Sequence, residues 1–392
     1  MAHRIRPRLV ALRWPPGPPA AAAIAAVWAR GDAVLPLDPG WPPDTLAAAL
    51  AALRPARLEG PDGGEDLPDP LALADGTAAV VVTSGSTGAP KGVVLSHAAL
   101  QASARASLAR LGATAADRWL CCLPLHHVAG LQVLVRSRLL GSDPVVHARF
   151  DPAAVAAADA TLVALVPTQL RRLLDAGVDL ARFRRVLLGG AAAPAGLLRE
   201  AADAGVAVVT SYGMTETAGG CVYDGVPLDG VEVRLAEGDR IAVRGPILAD
   251  GYHGRPDLTA AAWRDGWFVS ADRGAWDDDG RLRVLGRADT VIVSGGENVA
   301  AEAVEQVLVE HPGVAEVAVV GRPDRDWGER VVAVVVPADP AAPPTLADLR
   351  AHARARLPAA AAPRELVVVD ALPRTALGKV ARDRLRLPDP DR

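Results

Sequence analysis

The segment Thr83-Ser84-Gly85-Ser86-Thr87-Gly88-Ala89-Pro90-Lys91-Gly92 combines hydroxyls, glycines and a single lysine. Such a loop suits a polyphosphate: glycines let backbone N–H groups approach, hydroxyls donate, and the ammonium supplies charge. It is not a Walker A loop, because Pro90 directly precedes the lysine and Gly92 follows it. Of the 42 basic residues only Lys91 and Lys379 are lysine. In a chain that otherwise uses arginine, these two mark positions where a compact cation serves and a planar guanidinium does not. Met214, the one methionine after the initiator, and Asn298, the one asparagine, also lie in glycine-rich or turn-like segments. The carboxylates Glu216 and Asp272 and the pair His126–His127 complete the groups able to bind or move charge.

A framework must hold these groups. Residues 78–82 are a short apolar, β-branched run, which predicts a buried strand leading into the loop. A helix follows from His97, with Ser96 as N-cap and Leu100, Ala104, Leu108 and Leu111 on one face. Strands are expected at 119–123, 162–166, 185–188 and 206–209, and a helix at 194–204 with proline at its start and Gly205 beyond its end. This alternation predicts a layered α/β fold with a largely parallel sheet. After residue 231 short strands take over, with Asp277-Asp278-Asp279-Gly280 as a hairpin turn. From about 289, a helix (300–310), strands (314–320, 331–336, 366–369) and a helix ending near 356 make a small α+β domain.

Length and charge set bounds. A chain of 392 residues implies two or three domains. With 42 basic and 46 acidic residues and a net charge of −4, it lacks the basic excess of a nucleic-acid partner. No apolar run approaches the ~20 residues needed to span a bilayer. The alanine-rich stretch 19–29 reads as a short helix and not as a signal segment. Cys121, Cys122 and Cys221 are odd in number and lack metal spacing, which points to a reduced, cytoplasmic chain. A homo-oligomer is compatible with the sequence.

Five segments in order resemble the motifs of the adenylate-forming superfamily of acyl-CoA synthetases, luciferases and peptide-synthetase adenylation domains. They are the loop from Thr83; Ser211-Tyr212-Gly213-Met214-Thr215-Glu216; Ser270-Ala271-Asp272; Gly286-Arg287-Ala288-Asp289; and Pro373 through Gly378-Lys379. The resemblance implies a large N-terminal domain (1–288) that binds ATP and an acid, and a small mobile C-terminal domain (289–392) hinged at Asp289. It implies ATP, Mg²⁺ and CoA as cosubstrates and cofactor. By this resemblance Tyr212 stacks on adenine, with Gly189-Gly190-Ala191 opposite, and Thr215 touches the α-phosphate. Glu216 offers the hard oxygen that Mg²⁺ takes, and Asp272 and Arg287 meet the ribose hydroxyls. Lys379 is the expected catalytic residue, meeting the negative charge that builds as a carboxylate attacks the α-phosphate.

Leu123-Pro124-Leu125-His126-His127-Val128-Ala129-Gly130 is similar to the family's acyl-pocket motif, with His127 at the mouth of the CoA channel and His126 in place of a frequent aromatic. The aspartate that amino-acid-activating members carry there is absent. The run 130–137, Val166-Pro167-Thr168-Gln169-Leu170 and residues 219–228 resemble the o-succinylbenzoate–CoA ligases of menaquinone synthesis. Their substrate, 2-succinylbenzoate, keeps a second, aromatic carboxylate, which the histidines, Thr168, Gln169 or Arg136 could hold; Arg136 could equally lie on a helix surface. Another aryl- or acyl-CoA ligase, or an enzyme delivering to a carrier protein, stays open. The phosphate loop begins early, so much of the usual N-terminal subdomain is expected to be missing. Val293-Ser294 stands where many relatives have lysine, and Gly295 and Gly296 leave room for a pantetheine arm.

Overall fold

The computed structural model describes residues 6–84, 90–374, 380–385 and 387. The chain forms two compact units. The first comprises Met1–Ala193, Leu197–Arg234 and Ala242–Val269; the second comprises Pro194–Gly196, Leu235–Ile241 and Ser270–Arg392. The continuous part of the second unit thus starts at Ser270, upstream of the expected boundary at 288. The reason is the hairpin of Trp267–Trp276 with Leu282–Arg287, whose register pairs Asp272 with Arg287 and keeps residues from 270 onward with those that follow.

In the first unit a seven-stranded sheet runs in the order Gly251–Tyr252, Pro90–Ser96, Thr77–Ser84, Ala33–Pro36, Leu9–Leu12, Arg57–Gly60, Gly63–Asp66. The N-terminal residues therefore build strands and helices (Pro18–Ala29, Pro43–Leu53) of their own. Pro90–Ser96 is a strand antiparallel to Thr77–Ser84, where the sequence suggested only loop. Its Pro90-Lys91-Gly92 start hides the signal: proline is allowed at a strand's first residue. Gly92 is there for space, since a Cβ would lie 2.5 Å from Val80 Cγ1 and 2.6 Å from Leu53 Cδ2.

A second seven-stranded sheet runs Val226–Pro227, Gly219–Tyr223, Val208–Met214, Arg185–Leu188, Leu162–Leu165, Trp119–Cys121, Val145–Val146. From Val208–Met214 to Val145–Val146 every pair is parallel, as the alternation predicts. Leu120, Val163, Leu165, Val186 and Leu188 pack with Leu170, Leu173 and Phe183 into a core in which each is almost fully buried. Each such side chain contributes about 1.5–3 kcal/mol. The helix His97–Leu111 is capped by Ser96, whose Oγ accepts the Ala99 N–H at 3.1 Å, and it buries Leu100, Ala104, Leu108 and Leu111.

Asp117 joins the starts of three strands of this sheet. It accepts from Arg184 Nε and Nη2 (2.9 and 2.6 Å), from Thr161 Oγ1 (2.8 Å) and from the Thr114 N–H (2.8 Å). Burial pushes its pKa up, but the Arg184 pair and the other donors outweigh burial and hold it at about 2. The motif residues leave the opposite, C-terminal ends of the same strands, where ligands bind open α/β sheets.

The second unit holds a sheet ordered Glu297–Ala300, Val291–Ser294, Gly328–Pro337, Val314–Asp324, with Glu365–Val368 parallel to Gly328–Pro337. The helices Ala301–Leu308 and Leu346–Arg354 bury Val304, Leu308, Leu349 and Ala353 against it. Among the described residues no helix is long and apolar enough to cross a membrane.

Candidate active site

The two strands that enter and leave the phosphate loop are in register, Thr83 opposite Lys91 and Ser84 opposite Pro90. Gly85, Ser86, Thr87 and Gly88 lie outside the described residues. The Lys91 ammonium sits 5.5 Å from the centre of the Tyr252 ring, a cation–π contact with the neighbouring edge strand.

Ser211, Tyr212, Gly213 and Met214 end the strand Val208–Met214, and Thr215–Thr217 forms a single 3-10 turn. The chain doubles back so tightly that a Cβ on Gly213 would lie 2.1 Å from the Gly219 carbonyl oxygen. Thr217 Oγ1 accepts the Met214 N–H (3.0 Å) and donates to the Gly219 carbonyl (2.7 Å). Ala218 takes the left-handed conformation, φ 50°, which is uncommon for alanine. Two buried donors hold it there: Ser103 Oγ (3.0 Å) and Gln132 Nε2 (2.6 Å) both reach the Ala218 carbonyl. Gly189 lies against Ser211, its virtual Cβ 2.9 Å from Ser211 Oγ, so the Gly189-Gly190-Ala191 turn borders the Tyr212 strand. Gly190 and Ala191 are exposed, and Gly190 needs its φ of 80°.

Glu216 is half-buried. Its Oε1 accepts the Tyr252 hydroxyl at 2.9 Å, and its backbone carbonyl accepts the Ala249 N–H at 2.9 Å. Its second carboxylate oxygen makes no hydrogen bond among the described residues. No group of three or more His, Cys, Asp or Glu side chains that could hold a metal occurs among the described residues. A single half-buried carboxylate such as Glu216 fits Mg²⁺, which is held by one or two carboxylates together with substrate phosphates.

His126 and His127 stand at the start of the helix Val128–Leu140 with ring centres 4.5 Å apart. Asp38 Oδ2 lies 3.9 Å from His126 Nε2; burial lowers the His126 pKa and Asp38 partly opposes it. Gly130 is dictated by packing, because a Cβ would lie 2.3 Å from the Pro124 carbonyl oxygen. Thr168 is exposed at the start of the helix Pro167–Asp175. The Gln169 amide is engaged elsewhere, accepting from the Val166 N–H (3.1 Å) and donating to the Cys122 carbonyl (3.3 Å). Arg136 is not on a helix surface. It is 3% exposed, its guanidinium packs 5.1 Å from the Trp119 ring, and it has no ion pair among the described residues. Burial pushes the Cys121 and Cys122 thiols up to about 11 and about 12, so neither is a nucleophile at neutral pH.

In the second unit Asp272 and the exposed Arg287 face each other across the hairpin, Oδ1 to Nη1 3.9 Å. Asp289 follows in the turn Ala288–Thr290. Gly295 and Gly296 form the two-residue turn between paired Ser294 and Glu297, with φ of 63° and 82°. Both positive values are what a tight hairpin turn requires, so the glycines have a local reason as well. Lys379 lies outside the described residues. The segment carrying it is bracketed by the Arg374–Val380 bridge, with Arg374 bound to Glu316 (2.8 Å) and Arg382 to Glu305 (2.8 Å). Sequence reasoning missed Tyr252, Asp38, Ser103 and Gln132. For Tyr252 a signal existed, because it is one of only three tyrosines.

The chain matches the AMP-binding enzyme family over residues 54–253 and the AMP-binding enzyme C-terminal domain over 303–379. A probable 2-succinylbenzoate–CoA ligase of Mycobacterium tuberculosis is 48% identical over 335 residues, 81% of this chain and 85% of that protein. A feruloyl-CoA synthase of Amycolatopsis is 38% identical over 373 residues, covering 86% and 76%. The o-succinylbenzoate CoA synthetase of Bacillus subtilis, solved with its acyl-adenylate intermediate, superposes with a TM-score of 0.89 at 29% identity, covering 99% and 90% of the two chains. The same enzyme with ATP and magnesium ion gives 0.86 at 29% identity, covering 98% and 90%.

Proposed function

The chain belongs to the AMP-binding enzyme family, and from that premise we propose that it is a 2-succinylbenzoate–CoA ligase. One carboxylate oxygen of the acid attacks the α-phosphorus of ATP; the bond to pyrophosphate breaks and an acyl-adenylate forms. The CoA thiolate then attacks the acyl carbon and AMP leaves. Tyr212 and the Gly189-Gly190-Ala191 turn take the adenine, and the loop from Thr83 to Lys91 takes the phosphates. Thr215 and Lys379 meet the α-phosphate, and Asp272 and Arg287 take the ribose. Magnesium held by Glu216 supplies neutralising charge at the phosphates. Asp289 is the hinge between the large and small domains, His127 borders the CoA channel, and Gly295–Gly296 lets a pantetheine arm pass. The buried thiols suit a reduced, cytoplasmic setting.

Arg136 carries the choice of acid. A buried guanidinium without a carboxylate partner is costly, and the aromatic carboxylate of 2-succinylbenzoate is a partner of the right charge. Gln169, already bound to backbone at both ends of its amide, is a weaker choice. The 38% identity to a feruloyl-CoA synthase supports a second reading, a ligase for another aryl acid. The test is a panel of acids scored for pyrophosphate release with and without CoA. Preference for 2-succinylbenzoate with CoA-dependent turnover is expected; preference for a monocarboxylic aryl acid would install the second reading.

A further inference from the structure

Glu216 and Lys91, from two separate segments, meet at Tyr252. Its hydroxyl donates to Glu216 Oε1 at 2.9 Å, within the range of an O–H···O hydrogen bond. Its ring lies 5.5 Å under the Lys91 ammonium. Its own place is fixed from several sides. Tyr252 pairs in register with Val93 of the Lys91 strand, its N–H donates to Thr259 Oγ1 (2.9 Å), and its ring meets Trp263 edge-on with centres 5.3 Å apart. The same short segment takes the Glu216 backbone, through the Ala249 N–H. A carboxylate on a half-exposed 3-10 turn would otherwise sample several rotamers.

We propose that Tyr252 is a positioning residue that fixes the Glu216 carboxylate for magnesium and sets it in register with Lys91, so that both charged groups are placed before the nucleotide binds. This rests on Glu216 being the magnesium carboxylate. The hydroxyl locks one carboxylate oxygen and leaves the other presented to the cation. The ring, independently, stabilises the Lys91 ammonium 5.5 Å from its centre. Removing only the hydroxyl should therefore weaken the response to magnesium and spare nucleotide binding without it.

The experiment uses the purified full chain and binding of α,β-methylene-ATP measured by calorimetry across a MgCl₂ series. Tyr252→Phe should raise the Mg²⁺ concentration needed for half of the affinity gain about tenfold, the effect of a lost hydrogen bond to a charged group. Affinity without Mg²⁺ should stay as in the wild type. In pyrophosphate release the same shift should appear, with kcat recovering at high Mg²⁺ and KM for the acid unchanged. In a Glu216→Ala background the Tyr252→Phe effect should vanish, because the phenol acts through that carboxylate. Glu216→Asp, which withdraws the carboxylate from an intact tyrosine, should reproduce the shift and serves if Tyr252→Phe folds poorly. A wild-type magnesium response in Tyr252→Phe, or a shift that persists in Glu216→Ala, would overturn the proposal. A wild-type chain that binds the analogue equally well with and without Mg²⁺ would instead remove the premise about Glu216.

Discussion

Replacing Arg136 with methionine separates two duties the residue can serve, because they move stability and selectivity in opposite ways. Arg136 is 3% exposed, with the Trp119 ring at 5.1 Å and no carboxylate paired with it among the described residues. A desolvated cation–π contact gives back about 2 kcal/mol, less than the several kcal/mol it costs to bury the charge. Methionine fills a similar volume with no charge, so the free protein should be stabilised by roughly 1–3 kcal/mol and melt a few degrees higher. Binding should change the other way. Losing one partner of a buried charged pair costs about 3–5 kcal/mol, so kcat/KM for 2-succinylbenzoate should fall by at least ~10²-fold. The matching probe is 3-benzoylpropionate, which lacks the aromatic carboxylate. Wild type should use it at least ~10²-fold less well than 2-succinylbenzoate, because the unmatched guanidinium stays buried. Arg136→Met should close most of that gap. The assay is pyrophosphate release for both acids on both proteins, with thermal melts alongside. A fall that is equal for the two acids, together with a lower melting temperature, would refute the argument and leave Arg136 as a packing strut on Trp119.

Glu216→Gln keeps size and removes the charge that holds magnesium, so adenylation should fall at least ~10²-fold, with partial rescue as Mg²⁺ is raised; unchanged rates at limiting Mg²⁺ would make Glu216 structural. Lys379→Arg should lower adenylation by roughly 10²–10³-fold, because the guanidinium fork cannot act as a point charge between acid and α-phosphate. Supplied acyl-adenylate plus CoA should still react in that variant, and equal loss in both half-reactions would count against the two-step use of the lysine. Asp117 is held at about 2 in the folded chain against an ordinary 3.8. Its pairing therefore contributes about 2 kcal/mol above pH 4, lost as pH falls through 2. Denaturant melts from pH 6 to 2 should show a shallower acid loss in Asp117→Asn; identical slopes would exclude the pairing as the cause.

The sequence alone determined the motif order, the family resemblance and most of the parallel strands, because these are local. A loop such as Thr83–Gly92 announces its chemistry by residue type, and runs such as 162–166 or 185–188 declare buried strands by composition. Rarity sharpened the reading where few residues of a type exist, as with Lys91 and Lys379. The Pro90–Ser96 strand did not show, because its opening residues imitate a turn and only pairing with Thr77–Ser84 makes them a strand. Only the fold could show that Gln169 is spent on backbone, that Arg136 is buried beside Trp119, and that Tyr252 lies between Lys91 and Glu216. Tyr252 and Glu216 are 36 residues apart, and no spacing rule joins them. Residue type and period are set by neighbours along the chain, whereas a hydrogen bond or a buried charge depends on which distant side chains the packed layers bring within about 3 or 4 Å, and that is decided only when the sheets close.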